Sequence, residues 1–171
     1  MRCVYRVGQF MRHVVAREST VDLEPARRVL SGPALALFRR MPAGDQRHAL
    51  EVLARLGAHG RVPDDLAEAA LLHDTGKALA GRSPLWRALV VLSGRRGRGA
   101  LTRLASPRPT SWRYPLYVAL HHAALGAELC AEVGCPPTVV RLVRYHDAEA
   151  FDEAPELAES LMALRAADDA S

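Results

Sequence analysis

The sequence predicts an all-α fold, a single-domain helical bundle. Apolar residues recur at three- and four-residue steps, Ser, Pro and Asp open those runs and Gly closes them, and the alternating pattern and Asn-Gly turns of hairpins are missing. At 171 residues and 49% hydrophobic content the chain can bury one sizeable core. Residues 1–42 read as a helical extension packed on a core domain of residues 43–171.

Ser31-Gly32-Pro33 opens a helix that runs through Met41, with Ser suited to the cap and Pro to the first turn, where its missing N–H costs nothing. Asp45 opens the next, its carboxylate favoured at the positive end of the helix dipole, and Gly57 ends it. Pro63-Asp64-Asp65 opens a third that runs into Leu72 and His73, and Ser83-Pro84 begins a fourth. Beyond the loop around Arg95, Arg96 and Arg98, a short helix near Leu101 to Ala105 leads into the stiff Ser106-Pro107-Arg108-Pro109 connection. Leu116 to Val133 is a long helix stopped at Gly134. Pro136-Pro137 starts one that ends near His146, and Pro155 starts the last.

The composition excludes several classes. The longest apolar runs, such as Ala34–Phe38, are about five residues, against the roughly 20 that span a bilayer. Met1 to Val15 has no continuous apolar block before a cleavage site, so a cytoplasmic location is expected. Cys3, Cys130 and Cys135 are odd in number and lack a CxxC spacing, which argues for reduced packing residues. The net charge of +4 is read as an Arg-rich bias, and no nucleic-acid partner is expected, because no aromatic residue interleaves with the one dense Arg cluster.

The chemistry gathers around Leu71-Leu72-His73-Asp74-Thr75-Gly76-Lys77, an adjacent His and Asp at the end of an apolar helix. His122 shares a face with Val118, Leu125 and Leu129, His146 with Val139 and Leu142, and His48 with Val52 and Leu56. Asp168 follows Leu157, Leu161 and Leu164 on one stripe, while Asp169 lies about 100° away and can pair with Arg165. Four inward histidines and two inward carboxylates are too many polar groups for a small core to hold unpaired. A divalent metal resolves the cost, and nitrogen and oxygen donors without thiolate leave Fe, Mn, Zn, Co, Ni and Mg open. His13, His59 and His121 fit no such stripe.

The segments QRHALEVLARL, AALLHDTGK, HHAALGAELC, RLVRYHD and LRAADD, in this order, resemble the motifs of the HD-domain metal-dependent phosphohydrolases over roughly residues 45–169. The resemblance implies that His48, His73, Asp74 and Asp168 form a basic metal site, that His122 and His146 hold a second ion, and that Asp74 bridges the two. It implies hydrolysis of a phosphoester or phosphoanhydride of a nucleotide or related small phosphate, with Asp74 and Lys77 as catalytic residues and Lys77 near the phosphate. Small bacterial members that cleave symmetrical dinucleoside tetraphosphates share the His-x-x-x-Gly-Ala spacing of His122 to Ala127. The Gly-Tyr-Pro signature of the cyclic-dinucleotide branch is missing from HHAALGAEL.

Lys77 is the only lysine among 23 basic residues. Arg141 and Arg144, on the flank of the His146 helix, are either a phosphate clamp or solvated, Asp147 either a partner for a metal-bound His or a helix-end residue, and Trp86 and Trp112 candidates to stack on a base. The same ligands would also serve a di-iron oxygenase or a non-catalytic nucleotide- or metal-binding signalling module.

Overall fold

A computed structural model describes residues 21–58, 60–81, 99–148 and 155–171. His13, His59, Trp86, Cys3, the Ser83-Pro84 helix start and the Arg95–Arg98 loop lie outside the described residues. The described residues are all-α, with no strand. In chain order they form α1 (Glu24–Val29), α2 (Gly32–Arg39), α3 (Ala43–Gly57), α4 (Asp64–Leu72), a 3-10 helix (Thr75–Ala80), α5 (Tyr114–Glu132), α6 (Pro137–Tyr145) and α7 (Pro155–Ala170). Residues 99–104 are also helical. No helix among the described residues is long and apolar enough to cross a membrane.

Proline fixes three of the helix starts. Pro42, Pro63 and Pro136 sit just outside α3, α4 and α6 with φ of −54°, −56° and −53° and ψ near 145°, an extended conformation that a proline ring favours. Their carbonyls accept the first bonds of the helices, from Gln46, Ala67 and Val140. Helix α3 therefore starts two residues before Asp45, which lies inside its first turn, buried. Helix α2 starts after Ser31 and stops at Arg39, short of Met41. Pro42 explains the stop, since it has no N–H to continue the ladder and disfavours helical geometry at Met41, and Gln46 Nε2 donates to the Met41 carbonyl at 2.7 Å as the chain turns into α3. Helix α5 begins at Tyr114, two residues earlier than Leu116, and closes before Gly134, whose φ of +81° is a left-handed conformation suited to glycine.

Helix α4 is the centre of the bundle. Leu66, Ala67, Ala69, Ala70, Leu71 and Leu72 are all buried, and it packs against α1, α2, α3, α6 and α7. Its alanines let neighbouring backbones come close, while Leu71 and Leu72 join Phe38, Val52, Leu142, Leu161 and Leu164 in one core cluster. Ala26, Leu30, Ala34 and Leu37 from α1 and α2 belong to the same cluster. The C-terminal end of so buried a helix delivers its next residues, His73 and Asp74, into the interior.

Candidate metal centre

Six polar side chains converge from five helices and their ends. His48 comes from the middle of α3, His73 and Asp74 from the end of α4, His122 from α5, His146 from the end of α6, and Asp168 from the last turn of α7. The inward directions read from helical periodicity hold, including that of His48, whose stripe is bordered by Glu51 and Arg55. The imidazoles line up edge to face in an arc, His48 to His73 to His146 to His122, with neighbouring ring centroids 5.1–5.4 Å apart.

Asp74 sits inside that arc, 1% exposed, and its two oxygens face different ways. Oδ2 lies 3.5 Å from His73 Nε2 and 4.0 Å from His48 Nε2. Oδ1 lies 3.7 Å from His122 Nε2 and 3.7 Å from His146 Nε2. Asp168 Oδ1 closes the first set, at 2.8 Å from His48 Nε2 and 3.7 Å from His73 Nε2. Asp74, His48 and His73 form one potential ligand group, and Asp74, His122 and His146 another.

Hydrogen bonds fix the tautomers of three rings. The Nδ1 atoms of His73, His122 and His146 lie 2.9, 3.2 and 2.8 Å from the carbonyls of Ala70, Ala119 and Val143. A carbonyl has no proton to give, so each Nδ1 donates, and each ring turns its Nε2 toward the carboxylates. These Nε2 atoms face carboxylate oxygens at distances too long for hydrogen bonds, and His73 Nε2 and Asp74 Oδ1 have no hydrogen-bond partner although both are buried. An orphaned buried polar atom costs about 1–3 kcal/mol. Ligand bonds of roughly 2.0–2.2 Å put neighbouring donor atoms about 3–3.6 Å apart, close to the separations found here. The donor set fits divalent metal ions.

The charges follow the same pattern. Burial alone would raise the pKa of Asp74, but above all the Lys77 ammonium beside it holds it well below its ordinary value, so the carboxylate is anionic. Burial pushes His122 down to about 3, helped by Lys77 and His146. His146 is lowered by burial and by His73. Both rings are neutral at physiological pH, the form in which imidazole can bind a metal. His48 goes the other way: burial lowers it, but the hydrogen bond to Asp168 and the charges of Asp74 and Asp168 outweigh that and raise it. Burial raises Asp168 as well, yet His48 and His73 bring it below its ordinary value.

Lys77 enters through the 3-10 helix. Its Nζ lies 2.5 Å from Asp74 Oδ2, so the lysine is bound to the buried carboxylate, not solvated at a helix end. That turn exists because Gly76 has no side chain: a Cβ there would stand 2.0 Å from the His122 carbonyl oxygen and 2.8 Å from the Gly126 nitrogen. The 3-10 backbone therefore rests directly on the backbone of α5, and Gly76 and Gly126 together determine how close Asp74 comes to His122. The glycine spacings in HDTGK and HHAALGA carry the signal, but the backbone contact itself is tertiary.

Two supporting residues escaped the sequence reading. Arg165 donates from Nε to the His146 carbonyl at 3.0 Å and from Nη2 to the Tyr145 carbonyl at 2.6 Å, and it also reaches the Ala148 carbonyl. It caps the end of α6 from one turn before Asp168. Ser171 Oγ donates to the Asp168 carbonyl at 2.9 Å and lies 3.3 Å from His48 Nδ1. Of the remaining candidates, Arg141 is exposed and Arg144 half-buried on α6, Asp147 is exposed, and Trp112 is exposed just before α5. Cys130 is buried, with a thiol pushed up to about 11 by burial, and both it and Cys135 are free.

No family model, no curated protein and no solved structure matches the chain. The helical fold and the His/Asp clusters are compatible with an HD-like arrangement.

Proposed function

We propose that the chain is a metal-dependent phosphohydrolase of the HD type, acting on a phosphoester or phosphoanhydride of a nucleotide or related small phosphate. The observation that carries this reading is the buried Asp74, with one oxygen among His48, His73 and Asp168 and the other between His122 and His146. The order of the five motifs supports it. Ions held by His48, His73, Asp74 and Asp168 and by Asp74, His122 and His146 would supply an activated water and the positive charge that phosphoester hydrolysis requires.

The chain's own groups do the positioning. Bonds from Nδ1 to the carbonyls of Ala70, Ala119 and Val143 hold three donor atoms in place before any ligand arrives. Lys77, with a side chain 26% exposed, stands at the Oδ2 side of Asp74, where its ammonium can pass from carboxylate to a phosphate oxygen. Arg141 and Arg144 on the flank of α6 are the further phosphate-binding candidates. A lysine at that position favours an anionic substrate over the oxygenase alternative.

Metal analysis of the purified protein, followed by a phosphoester panel that includes dinucleoside polyphosphates, tests the reading. Up to two ions per chain and release of phosphate or nucleotide are expected, and His73→Ala should remove metal and hydrolysis together while helicity stays near wild type. A protein that holds metal, consumes oxygen when reduced and hydrolyses no member of the panel would overturn it.

A further inference from the structure

Aromatic residues make up 5% of the chain, and their placement is uneven. Phe38 lies in the core, as an aromatic residue usually does. Trp112, Tyr114 and Tyr117 instead fall within six residues at the start of α5, and none of them is buried. Tyr114 and Tyr117 are stacked with ring centroids 6.2 Å apart, and Tyr117 lies 4.5 Å from the His121 ring. Steps of three and four residues put these rings on one stripe, and Trp112, 74% exposed, stands just before it.

That stripe is on the outer flank of α5, with the exposed Glu128, while Leu116, Val118, His122, Gly126 and Cys130 face inward. His122, whose Nε2 faces Asp74, is the neighbour of His121 and about 100° round the helix from it. Tyr117 is about 8 Å along the helix axis and about 140° round it from His122, at ~1.5 Å and ~100° per residue, so His121 is the ring through which the stripe comes nearest the centre. A flat, sequence-tolerant aromatic surface therefore flanks a centre suited to phosphate.

We propose that Tyr114, Tyr117 and His121, with Trp112 at the outer end, form the platform for the nucleobase of a nucleotide whose phosphate lies at the Asp74 centre. The proposal rests on the phosphohydrolase reading for the position of the phosphate. A nucleotide fits this arrangement because it joins a flat π-system to a phosphate, the anion that the phosphohydrolase reading puts at the Asp74 centre. Stacking distinguishes bases weakly, so purines bind better than pyrimidines by their larger ring area, with no single base required.

Calorimetric titration of the Mn²⁺-loaded protein with AMP and with ribose 5-phosphate separates base from phosphate. Wild type should bind AMP about tenfold more tightly or better, the scale of one base on an aromatic side chain. Tyr117→Leu with His121→Ala should erase that preference while metal content and the melting curve stay near wild type, and Tyr117→Phe should keep it. Equal binding of the two ligands by wild type, or a preference that survives the double substitution, would overturn the platform. An AMP preference in a protein that hydrolyses nothing would leave the platform standing and end the hydrolase reading; hydrolysis with no AMP preference would do the reverse.

Discussion

Helices α4 and α6 are built alike and end differently. Each follows a proline cap, runs nine residues and delivers a histidine at its C-terminal cap, His73 with φ −55° and His146 with φ −57°. Each histidine turns Nδ1 back to a carbonyl three residues earlier, and each is followed by an aspartate. Yet Asp74 is buried between two sets of histidines, and Asp147 is exposed. The difference lies in what comes next. After Asp74 the chain folds into a 3-10 turn that Gly76 lets rest on α5, which draws the carboxylate inward. Beside Asp147, Arg165 caps the carbonyls left at the end of α6. The same helix and the same His-Asp pair give a buried carboxylate between two sets of histidines in one place and a surface carboxylate in the other, so backbone context decides the role.

The largest expected effect comes from exchanging the two aspartates' fates. Asp74→Ala should abolish hydrolysis and the binding of both ions, whereas Asp147→Ala should leave metal stoichiometry intact; atomic absorption on the two variants reads the contrast directly. Equal loss from both would show that the ends of α4 and α6 are functionally alike. Next comes the turn itself. Gly76→Ala forces backbone apart at 2.0 Å and should cost about 2–4 kcal/mol or displace Asp74, while Gly126→Ala, whose Cβ meets its nearest atoms at 3.1–3.3 Å, should cost less. Thermal melts of the two variants, taken with their metal content, rank them. The smallest effect belongs to the other helix end: Arg165→Met strips the caps from α6 and should lower stability by about 1–3 kcal/mol. It should weaken the ion held by His122 and His146 more than the one beside His48, which metal titration with stepwise chelation resolves.

Much of the centre was legible in the sequence because helical periodicity both forms a helix and aims its side chains. His122 separates from His121, and Asp168 from Asp169, by a rotation of about 100° that apolar neighbours mark out. The helix starts were legible to within about two residues, since proline and serine act locally. What could not be read is tertiary. Asp45 and Gln46 look like ordinary first-turn residues but are buried, and Gln46 caps the helix before its own. Arg165 has an i,i+4 aspartate in the sequence, yet it donates to carbonyls 17–20 residues away. The value of Gly76 appears only when α5 lies against it, and the Thr-Gly stretch gives no sign of a 3-10 turn long enough to hold Lys77 on Asp74.

The contact between Ser171 and His48 spans 123 residues of chain. Contacts of that length close late, because loop entropy must be spent before they return anything. The first half of the centre is therefore a latch, completed only when the last helix docks on the third. An ion that binds there recognises the finished fold and not its precursors, so it stabilises the whole domain by mass action, in proportion to the logarithm of its concentration. Loading with metal would then report the completion of folding.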